Sequence, residues 1–203
     1  MMKLFTSPGD IVKELKKKKS MGNSMGVLAL AGVLFAITAV IGTTKLISFV
    51  PGSEILGGLG GMGLGVAAVS AFLIVFIGGI FLGWILKLVM NTLGTKGGYF
   101  EGLTSIAYPF LILSVSNLLS VIVIYIPYIG GLLAFLVTII LTAMAFALTY
   151  RLIKDLFATD MITAFIGLIV VWAAALAAGL YGGAATIIGT VGRLPVIPAV
   201  PGL

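Results

Sequence analysis

Residues 25–44 are twenty consecutive positions without a charged side chain, and residues 109–126, 132–150 and 161–181 repeat the pattern. Residues 66–90 differ only by Lys87, close to the end of the run. Twenty residues at 1.5 Å rise span about 30 Å, the hydrocarbon thickness of a bilayer. In that medium no water satisfies backbone N–H and C=O groups, so each run is expected to close its own hydrogen bonds as a helix. The fold class follows: an all-α, polytopic integral membrane bundle of five transmembrane helices with short interfacial amphipathic helices.

Composition supports this and narrows the chemistry. Charged residues are 9% of the chain and hydrophobic residues 61%, whereas a soluble domain carries about 25% charge. There is no Cys and no His. Thiol nucleophiles, disulfides, imidazole acid–base catalysis and the commonest metal ligands are therefore excluded. The carboxylates Asp10, Glu14, Glu54, Glu101, Asp155 and Asp160 fall in connections or at helix ends. No span holds an ionisable group well inside it, as pumps and ion-coupled carriers do. The sequence points to a non-enzymatic protein with no cofactor, no metal and no nucleic-acid partner.

Residues 1–20 read as a basic amphipathic helix. Ser7, Pro8 and Asp10 suit its start, Ile11, Val12 and Leu15 share a side, and Lys13, Lys16, Lys17, Lys18 and Lys19 occupy the other face and the exit. Such a helix is expected to lie in a headgroup layer, where each Lys contributes about 1 kcal/mol of attraction to anionic lipid. Residues 46–65 read as a glycine-rich loop. Gly58, Gly60 and Gly63 match G-x-G-x-x-G, but the strand and βαβ unit that a dinucleotide site needs are missing.

Small residues and one amide mark expected packing faces. Gly79 and Gly83 form GxxxG, and Ala175, Gly179 and Gly183 form a second stripe. Asn117 is the only amide within a span, and Ser114, Ser116, Ser120, Thr138 and Thr142 are expected to bond across a hairpin of the third and fourth spans. The connection 151–160 is short and charged, and residues 184–203 form a Pro-rich tail.

With the N-terminus in the cytoplasm, ten of the twelve basic residues fall on that side and only Lys45 and Arg193 fall outside. Positive charge favours the cytoplasmic face, so the expected protein is a multi-pass cell-membrane protein with its C-terminus external. Residues 94–111, GTKGGYFEGLTSIAYPFL, then face the cytoplasm. They read as an interfacial amphipathic helix that turns at Tyr108 and Pro109 into the third span.

Pro8, Gly97, Gly98, Tyr99, Phe100, Tyr108 and Pro109, set in the motif GGYFEGLTSIAYPFL, carry a family likeness. With two spans before it and three from Pro109 onward, the chain resembles the Yip domain family over residues 4–182. These are five-span membrane proteins named for interacting with Ypt/Rab GTPases. The long soluble N-terminal region of eukaryotic trafficking members is not seen, so the resemblance is to compact prokaryotic members and does not extend to Rab binding. It implies a membrane-organising or partner-binding scaffold without enzymatic activity. Tyr99, Phe100, Glu101, Tyr108 and Pro109 are then the expected partner-binding positions, toward membrane or cytoplasmic proteins. The alternatives left open are a small-solute or ion channel or carrier, and a structural subunit of a larger complex or homo-oligomer.

Overall fold

The structure, a computed structural model, describes residues 12, 14–16, 19–48 and 57–191, with side-chain surroundings given up to residue 177 except at 43, 45–48 and 57–63. Among the described residues there is no strand. Residues 12 and 14–16 are helical. Five helices follow: α1 (Met21–Ser48), α2 (Gly57–Thr92), α3 (Tyr99–Val123), α4 (Gly130–Leu156) and α5 (Met161–Val191). The first four are long and apolar enough to cross a membrane, and α5 is apolar over Met161–Ala177.

Every expected span is present, but most helices run past their expected ends. The 57–65 stretch, read as a glycine loop, is the first part of α2. Glycine disfavours a helix in water, where an open backbone can bond solvent. Its apolar neighbours here put the segment where intrahelical bonds are the alternative to none. Residues 151–156 likewise continue α4, leaving 157–160 as the connection. Residues 184–191, assigned to the Pro-rich tail, are helical in α5, and the remainder of that tail lies outside the described residues.

The expected break at Pro109 does not occur. Pro109 sits inside one continuous helix that starts at Tyr99, so residues 99–107 are the buried first turns of α3 and no separate interfacial helix. Proline withholds one N–H and crowds the carbonyl four residues earlier. Hydrocarbon-spanning helices tolerate this because neighbouring helices hold the backbone on both sides.

α3 is the centre of the bundle. It packs on α1, α2 and α4, while α5 rests on α2 and α4. Of its apolar window 39% is buried inside the protein, against 17% for α1, α2 and α4. One core cluster joins Val12 and Leu15 to Leu28 of α1, Val75 of α2, Leu103 and Ala107 of α3, and Leu148 and Leu152 of α4. A second joins Leu86 and Met90 of α2 to Ile106 of α3, Ile153 of α4 and Leu168 of α5. Trp172, mid-span in α5, stacks on Phe146 of α4 with ring centroids 4.0 Å apart. That contact gives the ring a place between α4 and α5 inside the bundle.

Two glycines set the closest helix approach. A Cβ on Gly102 would clash with the Gly83 carbonyl oxygen, and one on Gly83 would meet the Leu103 Cα at 2.9 Å. A Cβ on Gly79 would run into the Leu28 side chain of α1. The GxxxG pair is therefore consumed within one chain, one glycine against α1 and the other against α3.

The connections between helices are capped. After α2, Gly94 takes φ +85°, Gly94 N–H donates to Asn91 O and Thr95 N–H donates to Met90 O, each at 3.1 Å. This is a Schellman motif with glycine at its left-handed position. α4 ends the same way with Ala158 at φ +49° and Thr159 N–H donating to Lys154 O. α5 starts on Asp160, whose carboxylate accepts the N–H groups of Ile162 at 3.0 Å and Thr163 at 3.2 Å. Hydrogen bonds from Thr163, then Ile162, hold the Asp160 carboxyl below its ordinary value of 3.8.

Two outcomes follow from this packing. Gly102→Ala is expected to destabilise the protein by about 1–3 kcal/mol, because backbone lies on the far side of the new methyl and must move, and a lowered detergent melting temperature reports it. Asp160→Ala is expected to melt below the wild type at neutral pH. The folded carboxyl titrates below the unfolded one, so the cap contributes fully above pH 3.8 and fades as pH falls through the folded value. The two melting curves are expected to converge in that acid window.

Candidate functional site

The α2–α3 and α4–α5 connections and the N-terminal segment meet at one end of the bundle. Glu101 is at its centre. Gly98 is the N-cap of α3, and its N–H donates to Glu101 Oε2 at 2.9 Å. This is one half of a capping box; the other half needs a side chain at the cap, which Gly98 lacks. The second carboxylate oxygen, Oε1, accepts Lys19 Nζ at 2.7 Å. Glu101 is almost fully buried while the Lys19 side chain is 62% exposed. It is the one ion pair among the described residues. Arg151 and Asp155, spaced for a helical pair, do not make one.

One turn deeper, the hydroxyls of Ser24 in α1 and Thr104 in α3 bond at 2.7 Å, both fully buried. Tyr99 donates its hydroxyl to Ile80 O of α2 at 3.2 Å. The α2–α3 loop is braced by Thr95, whose hydroxyl donates to Met90 O at 2.7 Å, and by the Asn91 amide, which donates to Thr95 O and Gly97 O at 3.1 Å. The Phe157 ring of the α4–α5 connection lies directly against Gly97, where a Cβ would clash with it. These bonds tie α3 to α1 and α2, while the buried Ser105 hydroxyl in the same turns has no hydrogen-bond partner among the described residues.

The N-terminal segment joins this assembly. Val12 and Leu15 are buried, with Leu103, Ala107, Leu148 and Leu152 in the same cluster, and Glu14 and Lys16 are exposed. The apolar face expected to enter lipid is instead packed on the chain's own bundle, because α3 and α4 leave apolar side chains for it to cover. The expected membrane-facing positions Lys16 and Lys19 remain solvent-accessible. Lys13, Lys17, Lys18 and Pro8 lie outside the described residues.

The five positions expected to form a partner-facing set are not presented together. Glu101 and Pro109 are buried, and Tyr99, Phe100 and Tyr108 are half-buried. The turn expected at Tyr108 and Pro109 is absent, and the stretch is the start of a continuous helix. Sequence reasoning missed Lys19, Ser24 and Thr104 as its partners, since they lie about eighty residues apart in the chain. Of the expected packing residues, Gly79 and Gly83 lie at helix contacts, while Asn117 and Ala175 line a cavity. The surroundings of Gly179 and Gly183 lie outside those described. Ser120 bonds Thr138 at 2.8 Å across the α3–α4 hairpin, as expected.

Against models of known families, residues 2–192 match the Yip1 domain. The chain belongs to the Yip1 domain family. No curated protein and no solved structure matches it significantly. The match takes in the N-terminal segment as well as the helices, so Lys19 and Glu101 both fall inside the family's domain.

The ion pair and the cap separate in a substitution series. Glu101→Gln keeps an acceptor for Gly98 N–H and removes the charge; with Lys19 mostly exposed, it and Lys19→Met are each expected to cost under about 1 kcal/mol. Glu101→Ala also strands the Gly98 N–H and is expected to cost about 1–3 kcal/mol. Detergent melting of the three variants and of the Lys19→Met/Glu101→Gln double variant checks the order and the coupling.

Proposed function

We propose that this Yip1-family membrane protein is a non-enzymatic, membrane-organising scaffold that acts through the basic end of its bundle. The observation that carries this reading is the pinning of the basic N-terminal segment. Val12 and Leu15 anchor it beneath, and the Lys19–Glu101 pair fixes its exit, so Lys16 and Lys19 are held exposed on the bundle's surface. Lys96 of the α2–α3 connection and Arg151 and Lys154 of the last turns of α4 are exposed at the same end. With the N-terminus cytoplasmic, as the charge bias favours, this surface faces anionic headgroups and partner proteins together. Tyr99, Glu101 and Tyr108 support it from below, through the Tyr99–Ile80 bond, the cap and the cluster that Tyr99 and Tyr108 share with Val12 and Leu15, with Phe100 and Pro109 in the same turns. A partner that binds here would read the surface built on them.

The test is crosslinking in native membranes with mass-spectrometric identification of partners, comparing wild type with Lys16→Glu/Lys96→Glu/Lys154→Glu. These three side chains are exposed, so the variant is expected to melt like the wild type. Loss of the wild type's crosslinked partners supports the scaffold reading. Identical partners from both chains, or none from either, overturns the assignment of this surface.

A further inference from the structure

A half-open cavity of about 360 Å³ runs between α2, α3 and α5, away from the basic end. Its walls include Val75, Gly78 and Phe81 of α2, Phe110 of α3 and Ala175 of α5. Ile74 and Phe81 line it and are also exposed, so it opens onto the outer surface of the helices. All of its wall residues belong to the apolar stretches of α1, α2, α3 and α5, so the medium outside the opening is lipid.

Two wall positions are polar. Ser114 and Asn117, three residues apart, share one face of α3, and neither side chain has a hydrogen-bond partner among the described residues. A hydrogen-bonding group left bare in hydrocarbon is unfavourable, and nothing among the described residues relieves this pair. An occupant that suits the cavity is apolar along its length and has an oxygen at the level of Asn117. Depth agrees with a lipid in that role. Asn117 lies six residues short of Val123, about 9 Å at 1.5 Å per residue. A 25-residue helix centred on about 30 Å of hydrocarbon overhangs by about 4 Å at each end. The Asn117 amide then sits about 5 Å, one helical turn, inside the boundary where lipid oxygens begin.

We propose that this cavity is a lipid-binding site. One hydrocarbon chain of a membrane glycerolipid lies along Val75, Gly78, Phe81 and Phe110, and an oxygen at the glycerol level bonds Asn117 and Ser114. The lipid sits about a turn deeper than its bulk neighbours, and the two hydrogen bonds hold it there.

Gly78 provides a clean block. A Cβ built there meets no atom within 4 Å, so Gly78→Leu grows into the cavity without disturbing a helix contact. The full chain is reconstituted in vesicles of phosphatidylcholine and phosphatidylglycerol with a trace of phospholipid bearing a diazirine on one chain. After irradiation, labelled peptides are mapped. Labelling is expected to concentrate on residues 74–85 and 110–117. Gly78→Leu is expected to remove it there, to leave labelling at the lipid-facing Ile139 and Ile169 unchanged, and to melt no lower than wild type. Asn117→Leu is expected to weaken retention roughly threefold, the worth of one membrane hydrogen bond. Even labelling of all lipid-facing helices overturns the proposal, as does cavity labelling that survives Gly78→Leu. So do crosslinks joining two copies through the cavity, which would make a second chain its occupant. Unlabelled but hydrated walls overturn it in favour of water.

Discussion

The backbones of α2 and α3 touch at Gly83 and Gly102, and the rest of the bundle is arranged around that contact. Helices in lipid gain little from hiding apolar surface, since lipid tails are as apolar as leucine; close van der Waals packing has to hold them together. Removing two side chains lets the helices approach until backbone meets backbone. This sets the first turns of α3 deep within the bundle, with Leu103, Thr104, Ser105 and Ile106 all buried. The helix begins at its exposed N-cap, Gly98, and is buried from Glu101 onward, so its first N–H groups need acceptors close to the point where the chain enters the bundle. Glu101 supplies one acceptor, and Lys19 neutralises the charge that this brings inside.

The ion pair thereby couples two things that the sequence keeps far apart. The segment before α1 has apolar residues that α3 and α4 can cover, and a lysine that the start of α3 requires. Docking satisfies both. Because Lys19 is mostly exposed, the pair adds little stability of its own, and its effect is to fix where the segment meets the start of α3. The family match over residues 2–192 takes in both partners, so segment and bundle form one domain.

The two ends of the molecule differ in how they use polar groups. At the basic end Tyr99, Ser24, Thr104, Thr95 and Asn91 all find partners within the chain. Toward the other end Ser120 and Thr138 close the α3–α4 hairpin, but Ser114 and Asn117 face an apolar cavity open to the bilayer.

By itself the sequence determined that this is a helical membrane bundle of the Yip domain family and which apolar runs become helices. Run length, absent charge and the GGYFEGLTSIAYP motif are local features, legible because the bilayer forces each apolar run to close its own hydrogen bonds. Where Gly-rich 57–65 and Pro109 suggested breaks, the same rule extended the helices, because residues that break helices in water have no better-bonded alternative in hydrocarbon. Only the tertiary structure decided what each local feature faces. It turned the GxxxG pair inward, gave Glu101 to Lys19 and Ser24 to Thr104, buried the elbow expected at the surface, and left Asn117 beside a cavity. Those outcomes depend on contacts between residues nineteen to eighty-two positions apart, and no local pattern encodes which helix a given face will meet.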